Sequence, residues 1–412
     1  MKHILYKYIT VIFLIFQLFP PIWLYIPISE SLVLAIFVAI TIMLFPDLLV
    51  SKSIMFLLIY TLITFIKFLN GNAFFTPINN VVVPFLNVSS ALLMTIYAFK
   101  YPNISYIKTI IITTFVLLTI MTIISIPQLI VYPNIIRGAS IFAAKSDNVI
   151  VYYWVIGYGT IHGLVAIFVP LVFLLKKTFR KNKWTFLLWG IETVLLFYIV
   201  FAANATTALL ISTLAIIAGL IINFTNFTLN NDTKLVLFGV ICILLFNKTT
   251  IHSLLDIVQP HFSESSSNYV KIIEMKNYLT YGYTYGDLGV RESLYKRSFS
   301  LFCESPFLGT TKPEQISLHS YILDRLAAVG IILFIPLFLI FASHIKFVYK
   351  RLNQTKVVYA ISCCCYLLML YLKNDFGTGT FLFAFSILPI LCLYIENILF
   401  KQYQKNDIIR GG

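Results

Sequence analysis

Long apolar runs broken by short polar stretches dominate this chain. They recur at approximately 31–46, 53–70, 79–99, 107–131, 150–175, 184–204, 205–223, 234–249, 318–343, 357–373 and 379–399. One more apolar run reaches Ile26 behind Lys2, His3 and Lys7, and contains Pro20 and Pro21. A helix that crosses a bilayer needs roughly 20 consecutive apolar residues, so the pattern predicts an all-α, polytopic transmembrane bundle of about twelve spans. No small-residue cleavage site follows the first run and further spans continue directly, so it reads as a retained helix rather than a secretory signal.

Between the ninth and tenth runs the pattern changes. The chain divides into an N-terminal bundle (1–249), a long polar loop (250–317) and C-terminal spans with a tail (318–412). Within the loop, SESSS at 263–267 reads as a flexible connector. Val290, Leu294, Leu301 and Phe302 fall on one helical stripe, which predicts an amphipathic helix over 289–304 with a basic opposite face.

Basic residues set the expected orientation. KKTFRKNK at 176–183 and HIKFVYKR at 344–351 read as dense basic loops, and the tail carries Lys401, Lys405 and Arg410. Counting spans puts both basic loops and both termini on the cytoplasmic side, and it sends the loops 132–149 and 250–317 outside. The composition agrees with a membrane protein: 59% hydrophobic and only 11% charged, where a soluble domain carries about 25% charged residues. The net charge of +14 would suggest nucleic acid in a soluble protein; here cytoplasmic Lys/Arg loops account for most of it. The six cysteines form no disulfide or zinc spacing; Cys303 alone sits in the polar loop.

Candidate chemistry concentrates between Asp287 and Gly330, in DLGVRESLYKRSFSLFCESPFLGTTKPEQISLHSYILDRLAAVG. His319 stands where the outer loop turns into a span. With Ser317 as N-cap it would occupy the first helical turn, whose positive end keeps the ring neutral and ready to accept a proton. Arg291 and Arg297 belong to the loop helix, and guanidinium suits a phosphate clamp; a solvated basic face is the bland alternative. Six residues apart, they need not face the same way. Asp324 and Arg325 fall one turn or more inside the next span, where charge is costly unless paired, and a structural ion pair is the simpler reading for Asp324. Glu192 lies well within the seventh span as a candidate for a polar cavity. Arg137, in the short outer loop, could join a phosphate site or cap a helix. His162 between Gly159 and Gly163 reads as close helix packing. No Gly-rich nucleotide loop, paired-Asp sugar-nucleotide motif, HExxH or GxSxG is present.

The order of an Arg, an amphipathic helix, SPFLGT, a short polar gap and HSYILDRLAAVG before a span resembles the bacterial O-antigen polymerase and O-antigen ligase superfamily. These fifty or so residues carry the likeness; span number and loop position fit over most of the chain, and YLKNDFGTGTFLFAFSILPIL is similar to the family's closing span. Members are polytopic glycosyltransferases of the GT-C type with a late extracytoplasmic loop. The resemblance implies that Arg291 matches the Arg opening the loop helix and His319 the His that assists the acceptor hydroxyl. Arg137, followed by GASIF, is similar to an Arg of the earlier outer loop. In one departure, FAANATTALL offers Asn204, Thr206 and Thr207 where many members have a Ser-Arg pair; Arg297 or Arg325 would then complete the cation set.

The expectation that follows is a polymerase of polyprenyl-pyrophosphate-linked oligosaccharide repeat units, acting on the outer face of the bacterial cytoplasmic membrane. No cofactor and no metal is implied, because guanidinium supplies the positive field. Implied partners are undecaprenyl-pyrophosphate-linked oligosaccharides, membrane lipid, and a chain-length regulator and flippase of the same pathway, but no nucleic acid. Three alternatives stay open: a ligase of the same superfamily, a lipid-linked glycan transporter or flippase, and a membrane sensor.

Overall fold

The computed structural model describes residues 1–26, 28–69, 81–131, 135–136, 153–179, 182–203, 205–224, 247–261, 264, 267–282, 286–373 and 378–400, with isolated positions at 233, 236 and 239. All regular structure among them is helical. Eight helices are long and apolar enough to cross a membrane: Lys52–Leu69, Val83–Lys100, Ile104–Val131, Tyr158–Phe179, Lys183–Ala202, Thr206–Asn223, Tyr321–Tyr349 and Gly379–Asn397. This is the pattern of a multi-pass membrane protein.

The expected dozen spans is not reached among the described residues, for identifiable reasons. Glu30–Leu44 and Lys356–Leu372 are apolar but shorter. Pro46 opens a 3-10 turn directly after the first of these. Pro20 and Pro21 do the same after Lys2–Leu18, because proline cannot donate to the preceding turn. The expected run at 234–249 lies almost wholly outside the described residues, as does most of the 263–267 connector. The basic loop expected at 344–351 is also shorter than its sequence suggests. The helix runs on to Tyr349, and His344 is buried inside it at 1% exposure.

By contacts the chain forms two compact units: 1–224 with 333–369 and 375–412, and 225–332 with 370–374. In the first unit, glycines permit close helix approaches. A Cβ on Gly163 would meet the Phe383 ring at 2.7 Å, and one on Gly379 would meet the Thr160 nitrogen at 2.8 Å. The expected tight packing around His162 is therefore present. Glu192 is buried at 8% exposure and accepts a hydrogen bond from the Thr119 hydroxyl.

The second unit contains the helices Lys248–Val258, Ser267–Tyr281 and Asp287–Glu304, followed by the irregular stretch 305–320. Its loop helix buries Leu301 and Ser298 while Val290 is 57% exposed. Of the expected stripe, Leu301 is buried and Leu294 and Phe302 are half-buried, whereas Val290 faces out. The next helix breaks at Gly330, whose φ is 69° and ψ 173°. In a continuous helix, Ala327 C=O would accept from Ile331 N–H. Here the SPFLGT turn fills both halves of that bond. Thr310 N–H donates to Ala327 O at 2.7 Å, and Ile331 N–H donates to Pro306 O at 2.7 Å. Ile332 N–H adds a weaker bond to Phe307 O at 3.3 Å. The two backbones come so close that a Cβ on Gly330 would overlap the Phe307 carbonyl, and one on Gly309 the Ala328 carbonyl.

The break also changes where two charges sit. Asp324 and Arg325 lie in the short helical segment ahead of Gly330, not one turn inside an uninterrupted span.

Gly330→Ala should lower the thermal midpoint of the detergent-solubilised protein sharply. A left-handed backbone costs an L-residue about 1–2 kcal/mol, before the overlap with Phe307 is counted. Gly309→Ala should behave alike. An unchanged midpoint for both would show that the turn and the helix break are not interlocked.

Candidate functional site

The loop helix Asp287–Glu304 presents Arg291, Tyr295 and Ser298 on one face by i, i+4, i+7 spacing. At 1.5 Å per residue, Arg291 and Ser298 stand about 10 Å apart along the axis. Arg291 is half-buried and Ser298 fully buried. The Tyr295 hydroxyl donates to the Leu372 carbonyl at 2.7 Å. Burial pushes that hydroxyl above its ordinary pKa; the neighbouring Arg291 guanidinium pulls it back, while Tyr371 and Asp324 push the same way as burial. Tyr295 therefore stands within electrostatic reach of both Arg291 and Asp324.

Asp324 is the centre of the arrangement, with 0% exposure. Its Oδ1 accepts from the hydroxyls of Ser298 at 2.7 Å and Ser317 at 2.8 Å. Its Oδ2 accepts from Ser320 N–H at 3.0 Å. Ser317 N–H in turn donates to Ser298 Oγ at 3.1 Å. Among the described residues its oxygens meet hydroxyls and an N–H rather than a cation, so the ion pair expected for Asp324 gives way to a neutral cradle. The reason is local: Asp324 lies in the first turn of its helix, where free N–H groups and the positive helix end stabilise an anion.

The same geometry corrects the helix start. Ser320, not Ser317, precedes the helix that begins at Tyr321, and its Oγ accepts from Leu323 N–H at 3.3 Å. With Asp324 reaching back to Ser320 N–H, the two residues form a reciprocal cap, one residue longer than the usual box. Tyr321 N–H, another orphan donor of the helix start, is taken by Lys373 C=O at 3.1 Å.

His319 consequently lies before the helix rather than in its first turn, and its ring is exposed. Its Nδ1 sits 2.8 Å from the Ser317 carbonyl oxygen. A carbonyl can only accept, so Nδ1 carries the proton and Nε2 is left as the acceptor of the neutral ring. The preceding Leu318 adopts φ 59° with its side chain 58% exposed, a left-handed conformation that costs a leucine on the order of 1 kcal/mol. That kink turns the chain between the buried Ser317 and the exposed imidazole.

The five residues singled out by sequence thus separate. Arg291 and His319 belong to one unit without touching: Arg291 shares a loop-helix face with Ser298, Ser298 meets Ser317, and the Ser317 carbonyl holds His319. Arg325 is buried at 5% exposure, its guanidinium 5.4 Å from the Tyr321 ring centroid. Arg297 is exposed on another face of its helix. Arg137 lies outside the described residues. No protein-family model, curated protein or solved structure matches this chain. The site must therefore be read from its own chemistry.

Tyr295, Ser298 and Ser320 were not foreseen. The signal for the first two was their spacing from Arg291; for Ser320 it was a cap-forming residue four positions before an Asp.

What the arrangement offers is an anion-attracting guanidinium and an outward imidazole nitrogen, mounted on a rigid hydrogen-bonded base. Ser298→Ala and Ser317→Ala should each cost about 1–2 kcal/mol of stability, and Asp324→Ala about 3 kcal/mol or more, because it strands several buried donors. The Ser298→Ala/Asp324→Ala pair should fall short of additivity by at least about 0.5 kcal/mol in unfolding measurements. Strict additivity would mean that the cradle is not a unit.

Proposed function

We propose that this chain is an integral-membrane glycosyltransferase of the O-antigen polymerase kind, with a GT-C-like bundle, extending a polyprenyl-pyrophosphate-linked glycan outside the cytoplasmic membrane. The observation that carries the reading is that the loop-helix face bearing Arg291 also bears Ser298, from which hydrogen bonds run to Ser317 and Asp324 and on, through the Ser317 carbonyl, to His319. It supplies an oriented base and a nearby cation on one polar unit of an otherwise apolar protein.

In this reading a sugar hydroxyl of the incoming lipid-linked unit attacks the anomeric carbon of the growing glycan. A new C–O bond forms as the bond to the pyrophosphate breaks, with inversion. His319 Nε2 takes the hydroxyl proton; the electron pair of the broken bond leaves on the pyrophosphate. Arg291 offsets the charge that builds on the departing oxygens, an interaction stronger in the transition state than in the ground state. Arg325 and Arg297 are secondary candidates for the lipid pyrophosphate, as is Arg137. Asp324 is a positioning residue: it holds Ser317, whose carbonyl fixes the His319 ring.

His319→Ala and Arg291→Ala strains should lose long-chain polymer and accumulate single-unit glycan, with in vitro transfer reduced about 10²-fold or more for the histidine variant. Arg291→Lys should restore only part of the activity, since an ammonium cannot clamp phosphate oxygens in a bidentate fork. Undiminished long chains in both alanine strains would reject these roles, and unattached long chains would point instead to ligation.

A further inference from the structure

The tip of the SPFLGT turn carries a feature that the site chemistry does not use. Phe307 is 64% exposed and Leu308 60% exposed, although the turn backbone is locked in place. Its position is fixed by Pro306 O and Phe307 O, which receive the N–H groups of Ile331 and Ile332. Those two isoleucines are themselves 47% and 50% exposed. Four large apolar side chains are therefore exposed around one backbone contact, where the apolar helix resumes after its break.

The length of that helix says what covers the surface. From Ile331 to Tyr349 it extends roughly 28 Å at 1.5 Å per residue, against a hydrocarbon core of about 30 Å. A crossing made by the stretch after the Gly330 break uses its whole length and puts Ile331 at the hydrocarbon boundary. A turn hydrogen-bonded to Ile331 and Ile332 stands at the same depth. Thr311, Lys312 and Glu314 follow the tip and are all exposed, a polar collar suited to the headgroup layer.

We propose that Phe307 and Leu308 form a membrane-inserted tip, seated among lipid chains at the outer boundary of the bilayer and anchoring the polar unit to it. The occupant of this surface is lipid, not a protein partner. The proposal goes beyond the glycosyl-transfer reading and needs no enzymatic turnover for its test.

The test is nitroxide accessibility in the full chain, reconstituted in phosphatidylethanolamine–phosphatidylglycerol vesicles. The exposed Cys303 and Cys364 are first replaced by Ser. Single labels are then placed by Phe307→Cys, Leu308→Cys and, as an aqueous reference, Arg297→Cys. The labels at 307 and 308 should collide several-fold more with lipid-soluble oxygen than with a water-soluble nickel chelate, and the label at 297 should show the reverse. Nickel access at 307 and 308 equal to that at 297 would place the tip in water and overturn the proposal. Shielding from both reagents would mean that protein covers it, which overturns it too. Two adjacent labels guard against one substitution disturbing the turn, and agreement of either with the expected pattern in a folded sample supports the tip.

Discussion

A helix backbone cannot be opened in an apolar setting unless something else occupies the exposed bond, and here the exchange between Ala327, Ile331 and the Pro306–Thr310 turn does so. A lost pair of backbone groups costs several kcal/mol where water cannot reach. The turn supplies one acceptor and one donor at the same distance, 2.7 Å, so the break costs little net hydrogen bonding. The requirement for glycine at both 309 and 330 follows, because each φ is positive and each Cβ position is already filled by the other backbone. Everything polar that follows depends on this exchange, since it gives residues 321–329 a short helix of their own.

That short helix is what makes a fully buried carboxylate tolerable. Asp324 draws on two hydroxyls, a backbone N–H and the positive end of its own first turn, and none of these carries a full charge. Among the described residues Arg291 is half-buried on its helix face and makes no ion pair. The Ser317 carbonyl, held by the same network, limits the His319 ring to one tautomer, with the proton on Nδ1.

Much of this could be read from the sequence, and what could not has physical reasons. Long apolar runs marked the helices well, since a bilayer-length run has few other uses; the prolines at 20, 21 and 46 shortened two of them in a way that hydropathy averages conceal. The polar segment from Asp287 to Gly330 was visible as a concentration of charge. Its internal wiring was not, because serine hydroxyls have no periodic signature and a reciprocal cap one residue longer than usual escapes the S-x-x-E pattern. Asp324 misled for a related reason: charge in an apolar run suggests a countercharge, whereas a helix start can hold an anion alone. Leu318 gave no warning at all, since leucine is among the residues least expected with φ near 59°.

The stretch between the two pinned ends of the turn has an evolutionary consequence. Thr310 is tied to Ala327, and Ser317 to Ser298 and Asp324, while Thr311, Lys312 and Glu314 between them are exposed. Lengthening a flexible connection costs only about 0.6 kcal/mol per doubling. Insertions at 311–315 would thus leave the anchored ends in register, whereas a single residue added between 305 and 309 would pull the polypeptide out of its notch. Descendants of this chain are free to vary the first stretch in size and composition, but are bound to keep the second at fixed length.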